Sequence, residues 1–583
     1  MSYKAKYREW LISDYFDQET KAELERIEDN EEEIEDRFYK DLTFGTGGMR
    51  GKIGAGTNRI NKYIIRKATQ GFANYIINYM DKGRDKGVVI SYDSRHKSRE
   101  FARETALVLN GNGIKTYLFD ELRPTPELSF AVRELGAIGG VMVTASHNPP
   151  EYNGYKVYGE DGCQAVPEKA RKIIAEIDEI DDFNLIKRMN KETAKAEGFF
   201  NIIGEEIDKK YMEALKEVIP DKDLAKEKGN ELNMIYTPLH GTGNKPVRRI
   251  LDELGFANLE VVKDQATADP DFSTVEQPNP EEDAAYEMAL EQAAENNNKA
   301  DLIFSTDPDC DRLGILARHE GEYRSLNGNE LGILLGDYLL NKLKENNKLP
   351  EKGVIIKTIV TTEMIRKIAN EYNVQVMDVL TGFKFIGEKM TEFENDNRKY
   401  IFGFEESYGY LVGDFVRDKD AVISCAMIAE AAAWAAEKGK SLYQLLPEIY
   451  TQFGFYYEKL MSVKREGKQG ADEIKSWMKN YRSHPPQSIN GSPVIMIMDY
   501  SVGEVKNIRE NKTETIDLPA SDVLQFLTEE GSKITMRPSG TEPKIKYYFS
   551  VKGQLEDPSE FENKKSALDQ KIDNIINDLN IEK

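Results

Sequence analysis

Residues 139–150 read GGVMVTASHNPP, and residues 301–312 read DLIFSTDPDCDR. Each opens with a short apolar run and closes in a polar loop. A few apolar residues bounded by turn formers predict a buried strand. The same rhythm recurs: GVVI (87–90) before SYDSRHKS, MIYTPL (234–239) before HGTGN, VIIKTIV (354–360) before TTE, and KYIFGF (399–404) before EESYG. A helical segment is expected after each loop. One starts near Ser98, carries Phe101, Ala102, Ala106 and Leu109 on one face, and stops near Gly111. Short β-rich runs alternating with helices predict parallel α/β units. In such open sheets ligands sit beyond the carboxyl ends of the strands. Every one of these polar loops occupies that position, so the chemistry is expected in several loops facing a shared cleft.

At roughly 100–200 residues per domain, the 583 residues predict three to five domains. Residues 1–40 read as acidic helix, with Tyr7, Trp10, Leu11 and Tyr15 on one face and EDNEEEIED (28–36) as a solvated run. Candidate junctions lie in the charged stretches 182–200 and 219–232, at 325–330 and near 445–455. The last hundred residues read as a mixed α+β domain, in which TMRPSGTEPKIKYYFSVKG (535–553) alternates like a strand. The apolar stretch Ala421 to Ala436 is interrupted by Glu430 and is too short and polar to span a bilayer, so it predicts a core helix.

The charge is strongly acidic, 79 − 102 = −23, which argues against a nucleic-acid or anionic-membrane partner. Hydrophobic residues make up 40%, enough for each domain to bury a core. Cys163, Cys310 and Cys425 are far apart and form neither a zinc knuckle nor a disulfide framework. The stretch MSYKAKYREW has no apolar signal core, and a cytoplasmic location is expected.

Five loops carry groups suited to chemistry. In TASHNPP, Ser146 is a strand-end hydroxyl with His147 and Asn148 beside it; a turn serine is the plain alternative, and the Gly-x-Ser-x-Gly elbow of a hydrolase is missing. In DPDCDR, Asp307, Asp309 and Asp311 would repel one another without a cation. All-oxygen ligation suits Mg²⁺. It is no EF-hand, because Arg312 and Arg318 stand where Gly and Glu are required. In RPSGTEPK, Arg537, Ser539, Gly540 and Thr541 can ring a phosphate with donors, or form an ordinary turn before an edge strand. In GFEESYG, Glu405, Glu406 and Ser407 can accept bonds from sugar hydroxyls, or simply open a helix. FGTGGMRGKIG (44–54) reads first as a flexible glycine turn, with Arg50 a possible anion contact. It is neither a Walker loop nor a dinucleotide fingerprint, since Thr46, Arg50 and Ile53 replace required residues.

Together, in this order, the loops resemble the α-D-phosphohexomutase superfamily, and most of all the longer bacterial α-phosphoglucomutases related to phosphopentomutase-like members. The resemblance spans nearly the whole chain, from FGTGGMR to RPSGTEPK. It implies three tandem α/β domains with mixed sheets and a C-terminal α+β domain of TATA-box-protein-like fold around a central cleft. The expected division is 1–205 with the phosphoserine loop, 206–325 with the metal loop, 326–450 with the sugar loop and 451–583 with the phosphate loop. By resemblance Ser146 is the phosphoserine. Asp307, Asp309 and Asp311 hold Mg²⁺, one per subunit, with the phosphoserine as a further ligand. Glu405 and Ser407 contact sugar hydroxyls, and Arg537, Ser539, Gly540 and Thr541 hold the distal phosphate. Arg50, His147, Lys156, Arg312 and Lys384 match cleft residues. Lys156 is the expected general base, provided burial or neighbouring cations lower its pKa.

The implied reaction interconverts glucose 1-phosphate and glucose 6-phosphate through a 1,6-bisphosphate, which would also act as activator. The expected partner is a small phosphosugar, with no nucleic acid and no membrane, on a monomer or homodimer. A phosphomannomutase or phosphopentomutase on the same scaffold, a Mg²⁺-dependent sugar phosphatase and an inactive sugar-phosphate binder are the alternatives. The intact Ser146 and aspartate triplet speak against the last.

Overall fold

The strand Val88–Tyr92 is buried along its whole length, so it belongs inside a sheet covered on both faces. The computed structural model describes residues 2–45, 48–295, 297, 299–465, 467–540 and 543–581. Its chain falls into two units. The first comprises Met1–Leu326, Phe383–Gly403 and Ser407–Glu437; the second comprises Asn327–Gly382, Phe404–Glu406 and Lys438–Lys583.

The first unit holds two mixed sheets. The strands of the first are β1 (Met49–Lys52), β2 (Val88–Tyr92), β3 (Thr116–Phe119), β4 (Gly139–Val143), β5 (Tyr152–Gly159) and β6 (Phe200–Ile203), in the order β1-β5-β4-β2-β3-β6. β2 lies parallel to both β3 and β4, β6 extends β3 in parallel, and β5 runs antiparallel to β4 and β1. The helices Ser98–Gly111 and Thr125–Glu134 pack on β2 and β4. Ahead of the sheet, Trp10 stacks on Phe16 at 4.1 Å, and both pack edge-on to Tyr63. This ties the acidic N-terminal helices to the core.

The second sheet has β7 (Met234–Thr237), β8 (Leu259–Val261), β9 (Leu302–Thr306), β10 (Leu313–His319) and β11 (Glu322–Leu326), in the order β11-β10-β9-β7-β8. β7 is parallel to both β8 and β9, so the winding reverses at β7; β10 returns antiparallel on β9.

One expectation is corrected here. A helix follows SYDSRHKS, HGTGN and TTE, but TASHNPP and TDPDCDR each run straight into an antiparallel strand, β5 and β10, and EESYG is likewise followed by a strand, Gly409–Val412, rather than a helix. The residues after the first loop, YNGYKVYG, carry three tyrosines and a valine, which favour a pleated surface; LGILARH has only Ile315 of that kind and forms a strand by pairing with β9 and β11. The TASHNPP and TDPDCDR loops are therefore the tips of tight returns rather than the starts of crossovers.

The second unit contains β12 (Gly353–Thr358) parallel to β13 (Gln375–Val379). Strand β14 (Lys399–Glu405) ends at the boundary between the units, and β15 (Gly409–Val412) lies in the first. The C-terminal part is an antiparallel sheet of β16 (Phe455–Lys464), β17 (Ser488–Ile489), β18 (Ser492–Asp499), β19 (Glu504–Asn507), β20 (Lys512–Thr515), β21 (Leu524–Thr528), β22 (Lys533–Pro538) and β23 (Lys544–Gly553). Its order is β16-β23-β22-β21-β18-β19-β20, with β17 on β18. The helices Gly467–Ser483 and Phe561–Asp578 pack against it. The helix Ala421–Glu437 is buried from Ala421 to Ala435 within the first unit, against the helices Asn244–Leu254 and Lys222–Lys228. Among the described residues, no helix is long and apolar enough to cross a membrane.

Candidate active site

Three residues past β4, Ser146 takes a left-handed backbone conformation, φ 53°, which a non-glycine residue adopts only when its surroundings enforce it. The Ser146 N–H donates to Thr144 Oγ1 at 2.7 Å, and the Asn148 N–H to the Ala145 carbonyl at 3.2 Å. Arg95, wholly buried in the loop after β2, donates to the carbonyls of Ser146 and Asn148, of Pro149 at 2.8 Å and of Tyr152 at 3.2 Å. It also pairs with Asp93 at 3.3 Å. Held this way, the Ser146 hydroxyl donates to Asp307 Oδ2 at 2.7 Å and lies 3.2 Å from His147 Nδ1.

Asp307, Asp309 and Asp311 are all buried and offer carboxylate oxygens within 4.8 Å of one another. Asp307 Oδ1 accepts the N–H groups of Asp311 and Arg312, both at 3.0 Å. Asp309 Oδ2 accepts from Lys156 Nζ at 2.8 Å and from Thr125 Oγ1 at 2.9 Å. Asp311 Oδ2 faces Lys419 at 3.0 Å and Lys156 at 3.7 Å. Asp309 Oδ1 and Asp311 Oδ1 are buried with no hydrogen-bond partner. An orphaned buried acceptor costs about 1–3 kcal/mol, and a cation would satisfy both. Hard carboxylate oxygens suit Mg²⁺, so the residues present fit a divalent metal.

The electrostatics agree. Burial, then Asp309 and Asp311, push the Asp307 carboxyl well above its ordinary range. Burial acts on Asp309 in the same direction, but the Lys156 ammonium overrides it and holds Asp309 well below. Burial, then the Arg312 and Arg50 charges, hold His147 well below the ordinary imidazole range, hence neutral at pH 7. For Lys156 the condition attached to the base role is not met. Burial favours a lower pKa, yet Asp309 and Asp311 outweigh it and raise the lysine above its ordinary value.

The remaining residues divide between the units. In the first, Arg50 Nη1 donates to Asn148 Oδ1 at 2.6 Å, and Arg312 Nη1 pairs with Glu281. The Lys384 carbonyl accepts the Cys163 thiol at 3.2 Å. Ser407 is half-buried, and next to it the Tyr408 carbonyl accepts the Leu313 N–H at 3.0 Å. That bond ties the Ser407 loop to the end of the aspartate loop. In the second unit, Glu405 Oε1 accepts the Gly382 N–H at 2.8 Å, and Glu406 Oε2 accepts the Thr358 and Thr361 hydroxyls at 3.2 Å. Arg537 is half-buried near the end of β22, and the Ser539 N–H donates to the Lys544 carbonyl at 2.8 Å, leaving Gly540 exposed. Thr541 lies outside the described residues. Burial, then Glu406, raise Tyr548 against the pull of Arg537.

Models of the α/β/α domains I, II and III of phosphoglucomutase/phosphomannomutase match residues 41–184, 209–321 and 327–453. A phosphoglucomutase of Staphylococcus haemolyticus is 38% identical over 543 residues, covering 93% of this chain and 94% of that protein. One of Staphylococcus aureus is 40% identical over 531 residues, covering 90% and 92%. The chain belongs to the phosphoglucomutase/phosphomannomutase family. Among solved structures, the open form of parafusin, a phosphoglucomutase from Paramecium, shares the fold with a TM-score of 0.70 at 18% identity, covering 93% of this chain and 95% of that one. A family member from Burkholderia thailandensis gives 0.61 at 16% identity, covering 92% and 97%.

Three residues of this family member's site escaped sequence reasoning. Arg95 lies in SYDSRHKS, a loop recognised only as a strand end. Thr125 bonds Asp309 twice, its N–H to the carbonyl at 2.9 Å and its hydroxyl to the carboxylate. Lys419 reads as one charge in VRDKDAV. Its place two residues before the apolar helix Ala421–Glu437 was the available signal.

Proposed function

We propose that the protein interconverts α-D-glucose 1-phosphate and glucose 6-phosphate through a phosphoserine at Ser146 and a glucose 1,6-bisphosphate. The observation that carries this is the Ser146 hydroxyl, 2.7 Å from Asp307 at the edge of a buried triplet with two unsatisfied oxygens. The enzyme's relatives at about 40% identity are phosphoglucomutases.

Phosphorylated Ser146 presents its phosphorus to the free hydroxyl of a bound sugar monophosphate. The new O–P bond forms as the Ser146 Oγ–P bond breaks. The sugar hydroxyl loses a proton and Ser146 Oγ gains one. Neutral His147, beside that oxygen, is placed to relay it. Lys156, kept as an ammonium by Asp309, supplies positive charge instead. Mg²⁺ on Asp307, Asp309, Asp311 and the phosphoserine would neutralise the transferring phosphoryl oxygens. Arg50, Arg312 and Lys384 add to that neutralisation. Arg537, Ser539, Gly540 and Thr541 hold the non-reacting phosphate, while Glu405 and Ser407 accept from sugar hydroxyls. The bisphosphate then turns end for end and returns its other phosphate to Ser146. Free glucose 1,6-bisphosphate would recharge an enzyme that has lost its phosphate. The division at 205, 325 and 450 and a cytoplasmic location belong to the same reading.

A coupled assay over glucose, mannose and ribose 1-phosphates tests it. Ser146→Ala should lose turnover by at least about a thousandfold while melting like the parent; near-normal turnover would sink the phosphoserine. Chelation should stop the reaction and Mg²⁺ restore it, and undiminished activity in excess chelator would exclude the metal.

A further inference from the structure

The winding reversal at β7 marks a second place where an open sheet offers a ligand crevice. The loop leaving β7, PLHGTGN, is not used by the proposed reaction. Leu239 and His240 are both left-handed there, φ 45° and 59°. The loop opens the eleven-residue helix Asn244–Leu254, whose first turn is capped by no side chain. A cavity of about 620 Å³ lies against that helix end, reached by Arg123, Glu127, Asp208, Thr242, Asn244 and Lys245.

What the cavity asks of a ligand follows from its unpaired atoms. Thr242 is 2% exposed and its Oγ1 has no hydrogen-bond partner. Asn244 Oδ1 is likewise buried without a hydrogen-bond partner, while Glu127 Oε1 faces the Arg123 guanidinium at 3.9 Å. The Thr242 and Asn244 oxygens call for O–H or N–H donors, whereas the open helix terminus calls for an acceptor. The cations are already neutralised. Arg123 donates to both carboxylate oxygens of Asp208 at 2.9 Å, Lys245 pairs with Glu121, and Arg249 pairs with Glu253 at 2.8 Å. With Asp120 and Glu205 also lining it, the cavity has no positive charge to spare for an anion. A hydroxyl group both donates and accepts. Leu122, Met212 and Pro246 offer apolar surface to the carbon skeleton behind it.

We infer that this cavity binds an uncharged, hydroxyl-rich compound of sugar or polyol size, and that its occupancy is felt by the aspartate loop. The connection is short. The Thr242 N–H donates to the Pro308 carbonyl at 2.8 Å, between Asp307 and Asp309. A Cβ on Gly241 would meet Pro308 at 2.6 Å, so the two loops pack without slack. On the other wall, Arg123 stands two residues before Thr125, the hydroxyl donor to Asp309. A ligand that shifts either wall shifts a carboxylate of the triplet. Linkage then requires the metal and the polyol to change each other's affinity by the same factor. This coupling, unlike the binding, rests on the aspartates being the metal site.

The test uses the full chain with myo-inositol, D-sorbitol and inorganic phosphate as probes, first by ligand-observed NMR without metal. At least one polyol should bind at millimolar concentration, and phosphate should not compete with it. Thr242→Val should weaken that binding about tenfold without lowering the melting temperature, because the hydroxyl it removes bonds nothing in the free protein. Asn244→Leu should act in the same direction. No polyol binding at tens of millimolar, or binding indifferent to both variants, would overturn the site. A melting temperature lowered by Thr242→Val would show the hydroxyl already satisfied and overturn it as well. Phosphate displacing the polyol would overturn the ligand class. Calorimetric Mg²⁺ titrations with and without saturating polyol should differ by at least threefold in dissociation constant; identical curves would overturn the coupling. If Mg²⁺ binds under neither condition, the metal assignment and the coupling fall together, while the metal-free titration still decides the binding.

Discussion

The Ser146 hydroxyl is only as well aimed as its backbone, and that backbone is fixed by a guanidinium fifty-one residues earlier. Arg95 spreads its donors over four carbonyls of the serine loop. A lysine keeps the charge but not the planar fork. Arg95→Lys should therefore lower kcat by about a hundredfold, with KM and Mg²⁺ affinity close to the parent's. Steady-state kinetics and metal titration read the split; an equal rise in KM would mean that Arg95 acts on binding instead. Ser146 and the aspartates were legible because each motif is written in consecutive residues. Arg95, Thr125 and Lys419 were not, because their meaning lies in partners roughly fifty to two hundred residues away. Lys156 was read as a cleft lysine, but its charge state was not legible, because two carboxylates of the loop after β9 decide it.

At the scale of elements, the helix Ala421–Glu437 shows what pattern reading captures. Its apolar, Ala-rich run was recognisable as core, and it is buried as expected. Periodicity could not reveal the carboxyl that starts it. Asp420 Oδ1 accepts the Val422 and Ile423 N–H groups at 2.9 and 3.0 Å, and Oδ2 accepts the Tyr211 hydroxyl at 2.8 Å. Burial outweighs those bonds and lifts Asp420 from 3.8 to about 6. The folded protein thus holds this proton more tightly than the unfolded chain. The contribution to stability is full below about pH 4 and is lost as pH rises through 6. Asp420→Asn keeps the capping oxygen and removes the ionisation. Relative to the parent, the variant should gain stability between pH 5 and pH 8, by about 1.4 kcal/mol. Denaturant melts at both pH values check this; parallel curves would place the proton elsewhere. The strands β5, β10 and β15 were misread as helices, because a loop after a buried strand looks the same whether the chain then crosses over or turns back.

Across the whole molecule, the proposed substrate contacts are shared out between loops with different tasks, and they should fail differently. Arg537→Ala removes a forked charge contact to phosphate and should raise KM for every phosphosugar by about tenfold or more. Glu405→Gln removes a hydroxyl acceptor and should change the ranking of glucose, mannose and ribose phosphates more than the overall affinity. Indistinguishable effects on such a panel would count against the division of labour. One further feature bears on how the protein is made. The first unit is not complete at Leu326, because Ser407–Glu437 belongs to it. The helix it contributes covers the apolar sides of Lys222–Lys228 and Asn244–Leu254. On a ribosome adding residues from the N-terminus, that cover arrives long after the surfaces that need it. Until it emerges, the nascent chain carries an open greasy seam, the kind of exposure that recruits chaperones.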